Sequence, residues 1–364
     1  MRIIDLLHRW TGGLIGLLLA VLGLSGAILV FRDQWNFLPH ARDTQIRDVG
    51  VISDAVGRIM ADPAARPESI LFASKDLGLH RLRFEGDAGA YTDQAGEQIT
   101  RWASKWDRVE LWLFDFHHYL WSGKTGAIIE GWLALIGIGF VVTGLILWWP
   151  LRKTFSLRAW PARMSRPAIV RHHRDLGVVV APLLLISCLT GAMLTLKPVA
   201  GFLLSPWSSP KEIVKSLEAP ETKGGPLAAN PDWRAMLTAA HQRFPQAEFR
   251  GLGLPDEPGE LITLRMKQPE EWLPNGRTMI WFDPATGRIV EARDALAMPR
   301  GAQLFNLLYP LHAAKVGGLA YKLLMTVSGL SLAMLGSLTV WSFWFRRPRK
   351  RAAGRVPARP TVNA

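Results

Sequence analysis

The chain has 364 residues, 49% of them apolar, with 16 tryptophans and a formal charge of +13. Its one cysteine, Cys188, lies in an apolar run, which excludes a disulfide framework, a thiolate metal site and covalent C-x-x-C-H haem attachment. So basic a chain raises nucleic acid as a partner, but the placement of the charge, counted below, argues against it.

In chain order, residues 1–32 read as a short N-terminus and a first membrane span, with 22 residues (10–31) free of charge. About 20 helical residues cross about 30 Å of hydrocarbon. The run is long for a signal peptide, and Gly26-Ala27-Ile28-Leu29-Val30-Phe31-Arg32 stands where a small-residue cleavage site would be, so it is expected to remain as an anchor. Residues 33–110 predict a small α+β module: an amphipathic helix over 53–61, strands near 70–73 and 79–84, and a hairpin in 91–99 turning at Asp93-Gln94-Ala95-Gly96. Residues 111–150 predict an interfacial helix over 111–121, a break at Ser122-Gly123-Lys124, and a second span over 131–149.

A basic loop, 151–172, leads to the third span, 173–197, charge-free over 176–196. Residues 198–300 repeat the module pattern. A helix over 231–244 gathers Trp233, Met236, Leu237, Ala240 and Phe244 on one face. Strands follow near 249–252 and 261–266, then a hairpin in 279–290 turning at Asp283-Pro284-Ala285-Thr286-Gly287. Residues 301–345 predict an interfacial helix over 304–314, a break at Val316-Gly317-Gly318 and a fourth span over 323–345; 346–364 form a basic tail.

Charge sets the orientation. The N-terminus, the middle loop and the tail together hold 16 basic residues against Asp5 and Asp175, whereas the rest holds 27 basic and 28 acidic residues. Both termini and the loop are therefore expected in the cytoplasm and the two modules outside. Nucleic-acid binding would need a folded basic face, and these residues lie in short juxtamembrane pieces.

The two halves also align. At an offset of 165, His8-Arg9-Trp10-Thr11-Gly12 falls on His173-Arg174-Asp175-Leu176-Gly177, and Leu24-Ser25-Gly26-Ala27 on Leu189-Thr190-Gly191-Ala192. At an offset of 195, His117 falls on His312 and Gly123 on Gly318. The expected fold class is an integral membrane four-helix transmembrane bundle from a tandem duplication, with two small α+β periplasmic modules. Gly26 and Gly191 are read as close helix-packing positions. Repeated spans run the same way, so the halves should be related by an axis along the membrane normal.

Of nine histidines, His40, His80 and His241 lie in the outer polar segments and read as surface or capping residues. His8 and His173 sit at the cytoplasmic mouths of spans one and three, His117 and His312 on the outer approaches to spans two and four. Ionisable groups at membrane depth are usually functional. Topology lets His8 meet His173 and His117 meet His312, but not His8 meet His117. Facing neutral imidazoles suit axial ligation of a non-covalent b-type haem, so two pairs predict two haems, one near each surface. His118 and His172 are the alternative ligands; the repeat favours His117 and His173. Arg9 and Arg174 are candidate partners for haem propionates, or simple positive-inside anchors. Two histidines per face make a poor zinc site.

The segments His8-Arg9-Trp10-Thr11-Gly12, His117 with Gly123 through Leu147-Trp148-Trp149-Pro150, His173-Arg174-Asp175-Leu176-Gly177, and His312 with Gly318 through Trp344-Phe345-Arg346-Arg347 resemble the PepSY-associated transmembrane family. That family includes iron-regulated membrane proteins and FoxB-type ferric-siderophore reductases. The resemblance implies two haem b groups in the bacterial inner membrane and reduction of a ferric-siderophore on the periplasmic side, releasing ferrous iron.

The electron donor is left open between quinol and a separate cytoplasmic flavin or NAD(P)H reductase, because no Gly-rich dinucleotide fingerprint follows a strand. The competing readings are a haem-independent PepSY-type regulator or anchor, an electron-transfer subunit for another periplasmic acceptor, and a transporter. Trp112, Trp121, Trp207 and Tyr309 could line an outer pocket, but aromatic residues at a membrane interface are ordinarily belt residues.

Overall fold

A computed structural model describes residues 1–345; the expected tail, 346–364, lies outside the described residues. Among the described residues, four helices are long and apolar enough to cross a membrane: α1 (Arg2–Leu29), α4 (Gly123–Trp148), α5 (Arg166–Thr195) and α10 (Gly318–Trp344). Each begins before its apolar run. Arg and Leu propagate a helix well and Asp5 suits the first turn of α1, so α1 and α5 start in the basic segments and carry His8 and His173 on regular helix.

The four helices close a ring in which α1 packs on α10, α10 on α5, α5 on α4 and α4 on α1. The α1–α10 crossing is a backbone contact: a Cβ on Gly23 would lie 2.7 Å from the Gly329 carbonyl oxygen, and one on Gly329 2.6 Å from that of Gly23. Gly137 gives the α4–α5 crossing the same intimacy, since a Cβ there would meet Cys188 Sγ at 2.6 Å. In lipid, where apolar area drives little helix association, such close packing holds helices together.

Two short helices, α3 (Val109–Tyr119) and α9 (Arg300–His312), precede α4 and α10. Sharp breaks separate them from the spans. Leu120, Trp121 and Gly123 have φ of 46°, 55° and 56°, and Ala314, Gly317 and Gly318 have φ of 52°, 70° and 61°. The glycines take this left-handed backbone freely; the others are held there by their surroundings.

The remainder forms one sheet, where the sequence predicts two separate modules. Its antiparallel strands are β1 (Ser69–Leu71), β2 (His80–Arg83), β3 (Gly89–Thr92), β4 (Gln98–Trp102), β5 (Glu248–Gly253), β6 (Ile262–Lys267), β7 (Thr278–Phe282) and β8 (Ile289–Arg293), in the order β4-β3-β2-β1-β5-β6-β7-β8. The two four-stranded sets join where Ser69, Ile70 and Leu71 pair with Gly253, Leu252 and Gly251. An unpaired strand edge invites pairing, and here each set covers the other's. Helices α2 (Val49–Ile59) and α8 (Trp233–Arg243) share one core with the sheet through Val56, Met60, Ile70, Leu237, Leu252, Leu264 and Phe282.

The sequence pattern does not predict two further helices, α6 (Lys197–Leu204) and α7 (Pro210–Leu217). Eight residues each, they are too short for a clear period, and they pack on α9 through Leu204, Ile213, Ala302 and Leu308.

Candidate functional site: two histidine pairs

Four of the nine histidines meet in two pairs, at opposite ends of the helix ring. At the end away from the sheet, His8 on α1 and His173 on α5 have ring centroids 6.1 Å apart and ring planes at 86°. Phe140 of α4 lies edge-on to His8 at 5.1 Å. A pocket of about 590 Å³ opens between the helices and is lined by both histidines, by Gly12, Gly16, Gly137, Gly144, Gly177 and Gly336, and by Arg2, Arg9, Arg166 and Arg174. That volume lies within the range of small-molecule and cofactor sites. A Cβ on Gly177 would meet nothing within 4 Å, so this wall of the pocket is open space.

At the sheet end, His117 on α3 and His312 on α9 also have centroids 6.1 Å apart, with planes at 38°. Gly26 and Gly191 seat these rings: a Cβ on Gly26 would lie 3.0 Å from His117 Cε1, and one on Gly191 3.2 Å from His312 Cε1. The sequence assigns these two glycines to helix–helix packing; the nearer reason for them is room for an imidazole.

Every one of the four rings has its Nδ1 against a hydroxyl. His8 faces Thr143 at 2.8 Å, His173 faces Thr339 at 3.1 Å, His117 faces Ser25 at 2.9 Å and His312 faces Thr190 at 3.1 Å. The hydroxyls of Thr143, Ser25 and Thr190 already donate to the carbonyls of Gly139, Leu22 and Ile186. A hydroxyl has one proton, so toward histidine these three oxygens can only accept, and Nδ1 must carry the proton. His312 Nδ1 also lies 3.1 Å from the Ser187 carbonyl, which leads to the same tautomer. Nε2 is then the bare lone pair, and among the described residues no hydrogen bond engages Nε2 of any of the four. Metal-ligating histidines are held in this way, one nitrogen donating and the other free for the metal. Ser25 and Thr190 occupy equivalent positions at the 165-residue offset, which is how the sequence could have revealed them. Thr143 and Thr339 leave no such signal.

The other candidates have partners of their own. His172 is fully buried, with Nδ1 2.8 Å from the Arg158 carbonyl. His118 packs on Tyr119 and Phe114, at 4.2 and 5.6 Å. Arg9 bonds Asp5 at 3.1 Å. Arg174 bonds Asp175 at 2.7 Å and both the hydroxyl and carbonyl of Thr154 at 3.0 Å, while Arg158 also pairs with Asp175. Arg174 thus anchors the loop after α4 while it lines the pocket beside His173.

His80, read from sequence as surface or capping, is 3% exposed and accepts from Ala73 N–H at 2.9 Å; burial pushes its pKa down to about 4. His40 is exposed beside Asp43, which raises its pKa. Trp112 and Trp121 join Trp106 and Phe116 in one aromatic cluster.

Two imidazoles bonded to one metal at about 2 Å each place their centroids roughly 6 Å apart. No group of three or more His, Cys, Asp or Glu among the described residues could hold a metal ion. A metal held by either pair must bring its other ligands with it. A search of curated proteins returned no match to the chain. The family model of the PepSY-associated TM region matches residues 6–347, and the chain belongs to that family of membrane proteins.

Proposed function

We propose that this protein is a di-haem b reductase of the bacterial inner membrane that passes electrons outward to a periplasmic ferric-siderophore, releasing ferrous iron. Both termini lie in the cytoplasm in this reading, and the sheet lies in the periplasm. When bound, haem b supplies reversible one-electron chemistry. His8 and His173 would hold one group and His117 and His312 the other.

The observation that carries the reading is the state of the imidazoles: His8, His117 and His312 donate from Nδ1, no hydrogen bond among the described residues engages Nε2 of any of the four, and each pair has its centroids 6.1 Å apart. A pair that supplies two donors suits a metal whose macrocycle supplies four more. The pocket beside His8 and His173 has the volume and the glycine walls for a flat group. On α1, 18 residues separate His8 from Gly26, and on α5 the same number separates His173 from Gly191. Both intervals correspond to about 27 Å along a helix, so the pairs sit near opposite surfaces of the bilayer.

Tandem duplication explains why each pair draws one histidine from each half: neither half alone could complete a bis-histidine site. The donor is quinol or a separate flavin or NAD(P)H reductase. The test is a pyridine-haemochrome spectrum of the purified protein, followed by anaerobic reduction and mixing with ferric-siderophores. Haem b that reoxidises as ferrous iron appears is the expected result. Protein without haem b ends the reading, and haem that no ferric chelate reoxidises removes the substrate from it.

A further inference from the structure

Strand register places Arg81, Leu71, Gly251, Arg265 and Met279 in one row across β2, β1, β5, β6 and β7. The row beside it, Leu82, Ile70, Leu252, Leu264 and Ile280, is buried against α2 and α8. Side chains alternate between faces of a strand, so Arg81 and Arg265 point from the opposite face. That face looks toward the helices that carry the outer histidines: Arg277 donates to Asn306 of α9 at 3.2 Å, and Glu110 of α3 is close enough to act electrostatically on Arg81. A bulge in β5, where the register shifts between Phe249 and Gly251, brings Arg250 into the same set.

These four arginines are short of anionic partners. Arg250 is 5% exposed, donates only to the Ala73 carbonyl and the Asn275 amide oxygen, and leaves Nε buried without a partner. Among the described residues, neither Arg81 nor Arg265 has a side-chain hydrogen bond, and none of the four has an ion pair. The nearby carboxylates are engaged elsewhere. Glu271 is taken by the backbone N–H of Gln268 and Arg277 and by Thr278, and Asp33 by Lys315 at 2.5 Å. Burial lowers the pKa of all four, that of Arg277 to about 10. Elsewhere the chain supplies a carboxylate where an arginine is half-buried, as Arg108 with Glu110 and Arg293 with Glu291. Buried cations left unpaired are costly, and proteins pair them.

We infer that the arginine face of the sheet, above α3 and α9, is a receptor for an anionic ferric chelate, one presenting free carboxylate or catecholate oxygens, in preference to a neutral hydroxamate. This rests on the reductase reading for the identity of the ligand, and it places the substrate over the outer histidine pair. Guanidinium groups match such oxygens with paired donors.

The test uses the full chain in detergent and redox-inert gallium(III) chelates, one net-negative with free carboxylates and one neutral trihydroxamate. Binding is followed by titration calorimetry. The anionic chelate is expected to bind at least about tenfold tighter, and Arg81→Gln and Arg265→Gln each to weaken it about tenfold. The same variants should melt no lower than the parent, because each removes an unpaired charge. Equal binding of the two chelates, or unchanged affinity in both variants, overturns the inference. So does loss of haem from the variants with chelate binding intact, which would assign the arginines to haem carboxylates. Gallium binding needs no electron, so failure of the electron-transfer reading leaves this result legible.

Discussion

The two histidine pairs share a centroid spacing but are built in opposite ways. At the end away from the sheet, the ring-bearing helices are the spans α1 and α5, while α4 and α10 supply the hydroxyls of Thr143 and Thr339. At the sheet end, α1 and α5 supply the hydroxyls and the glycine seats, and the rings come from the short helices α3 and α9. The first pair is thus part of the membrane bundle itself. The second exists only because two breaks fold α3 and α9 back over the helix ends. One pair adjoins an open pocket; the other is pressed against Gly26 and Gly191. The first should therefore tolerate change in its walls, and the second should not.

The largest effect tests the pairing. His8→Ala or His173→Ala is expected to remove one of the two haems, and His117→Ala or His312→Ala the other, each leaving roughly half the haemochrome signal. Double variants within a pair should match the single ones, and double variants across pairs should lose all haem. A loss of all haem from any single variant would mean that the two sites do not assemble independently. Next come the walls. Gly26→Leu or Gly191→Leu drives a side chain into a ring already about 3 Å from a bare Cβ, and should abolish the outer haem alone. Gly177→Ala at the inner pocket, where a Cβ meets nothing within 4 Å, should leave both haems, as read by low-temperature difference spectra.

The four spans were legible because length and apolar composition are read by the bilayer without tertiary detail. The strand positions were legible too, since the hairpin turns at Asp93-Gln94-Ala95-Gly96 and Asp283-Pro284-Ala285-Thr286-Gly287 have local chemistry. What was not legible depends on distant pairs. Nothing local says that Ile70 will pair with Leu252, 182 positions away, and join two modules in one sheet. The burial of His80 follows from that joined core. The same holds for Thr143 and Thr339, ordinary residues of apolar helices until a histidine from another helix meets them. His117 and His173, in contrast, could be preferred over their neighbours from the repeat alone, and they are the ones whose rings face a partner.

Acid should separate the two regions. His80 is neutral in the folded sheet, its Nδ1 occupied by the Ala73 N–H, and its pKa is about 4 against an ordinary 6.5. The folded state resists the proton that the unfolded state accepts, so this stability is complete above pH 6.5 and declines as pH falls toward 4. The full loss is on the order of 3 kcal/mol. Ala73 also receives Arg250 and Gln45 on its carbonyl, so the protonated ring would sit beside an existing cation. Hydrogen exchange at pH 7 and pH 4.5 should show the sheet opening before the bundle, and a His80→Gln variant should flatten that difference. Equal acid sensitivity in the parent and the variant would remove His80 as the cause.

The smallest effect discriminates among the hydroxyls. Losing the group that holds a ligating histidine typically costs 10–100-fold in metal affinity. His8 relies on Thr143 alone among the described residues, whereas His312 has the Ser187 carbonyl at 3.1 Å in addition to Thr190. Thr143→Val should therefore free the His8 ring to change tautomer and rotate, weakening the inner haem toward the upper end of that range. Thr190→Val leaves a backbone acceptor in place, so His312 keeps its Nδ1 proton and its orientation, and the loss should be a fewfold one. Competitive transfer of haem to an apo-acceptor protein measures both. If the two variants release haem at the same rate, the hydroxyls fill space against the rings and do not select their tautomer.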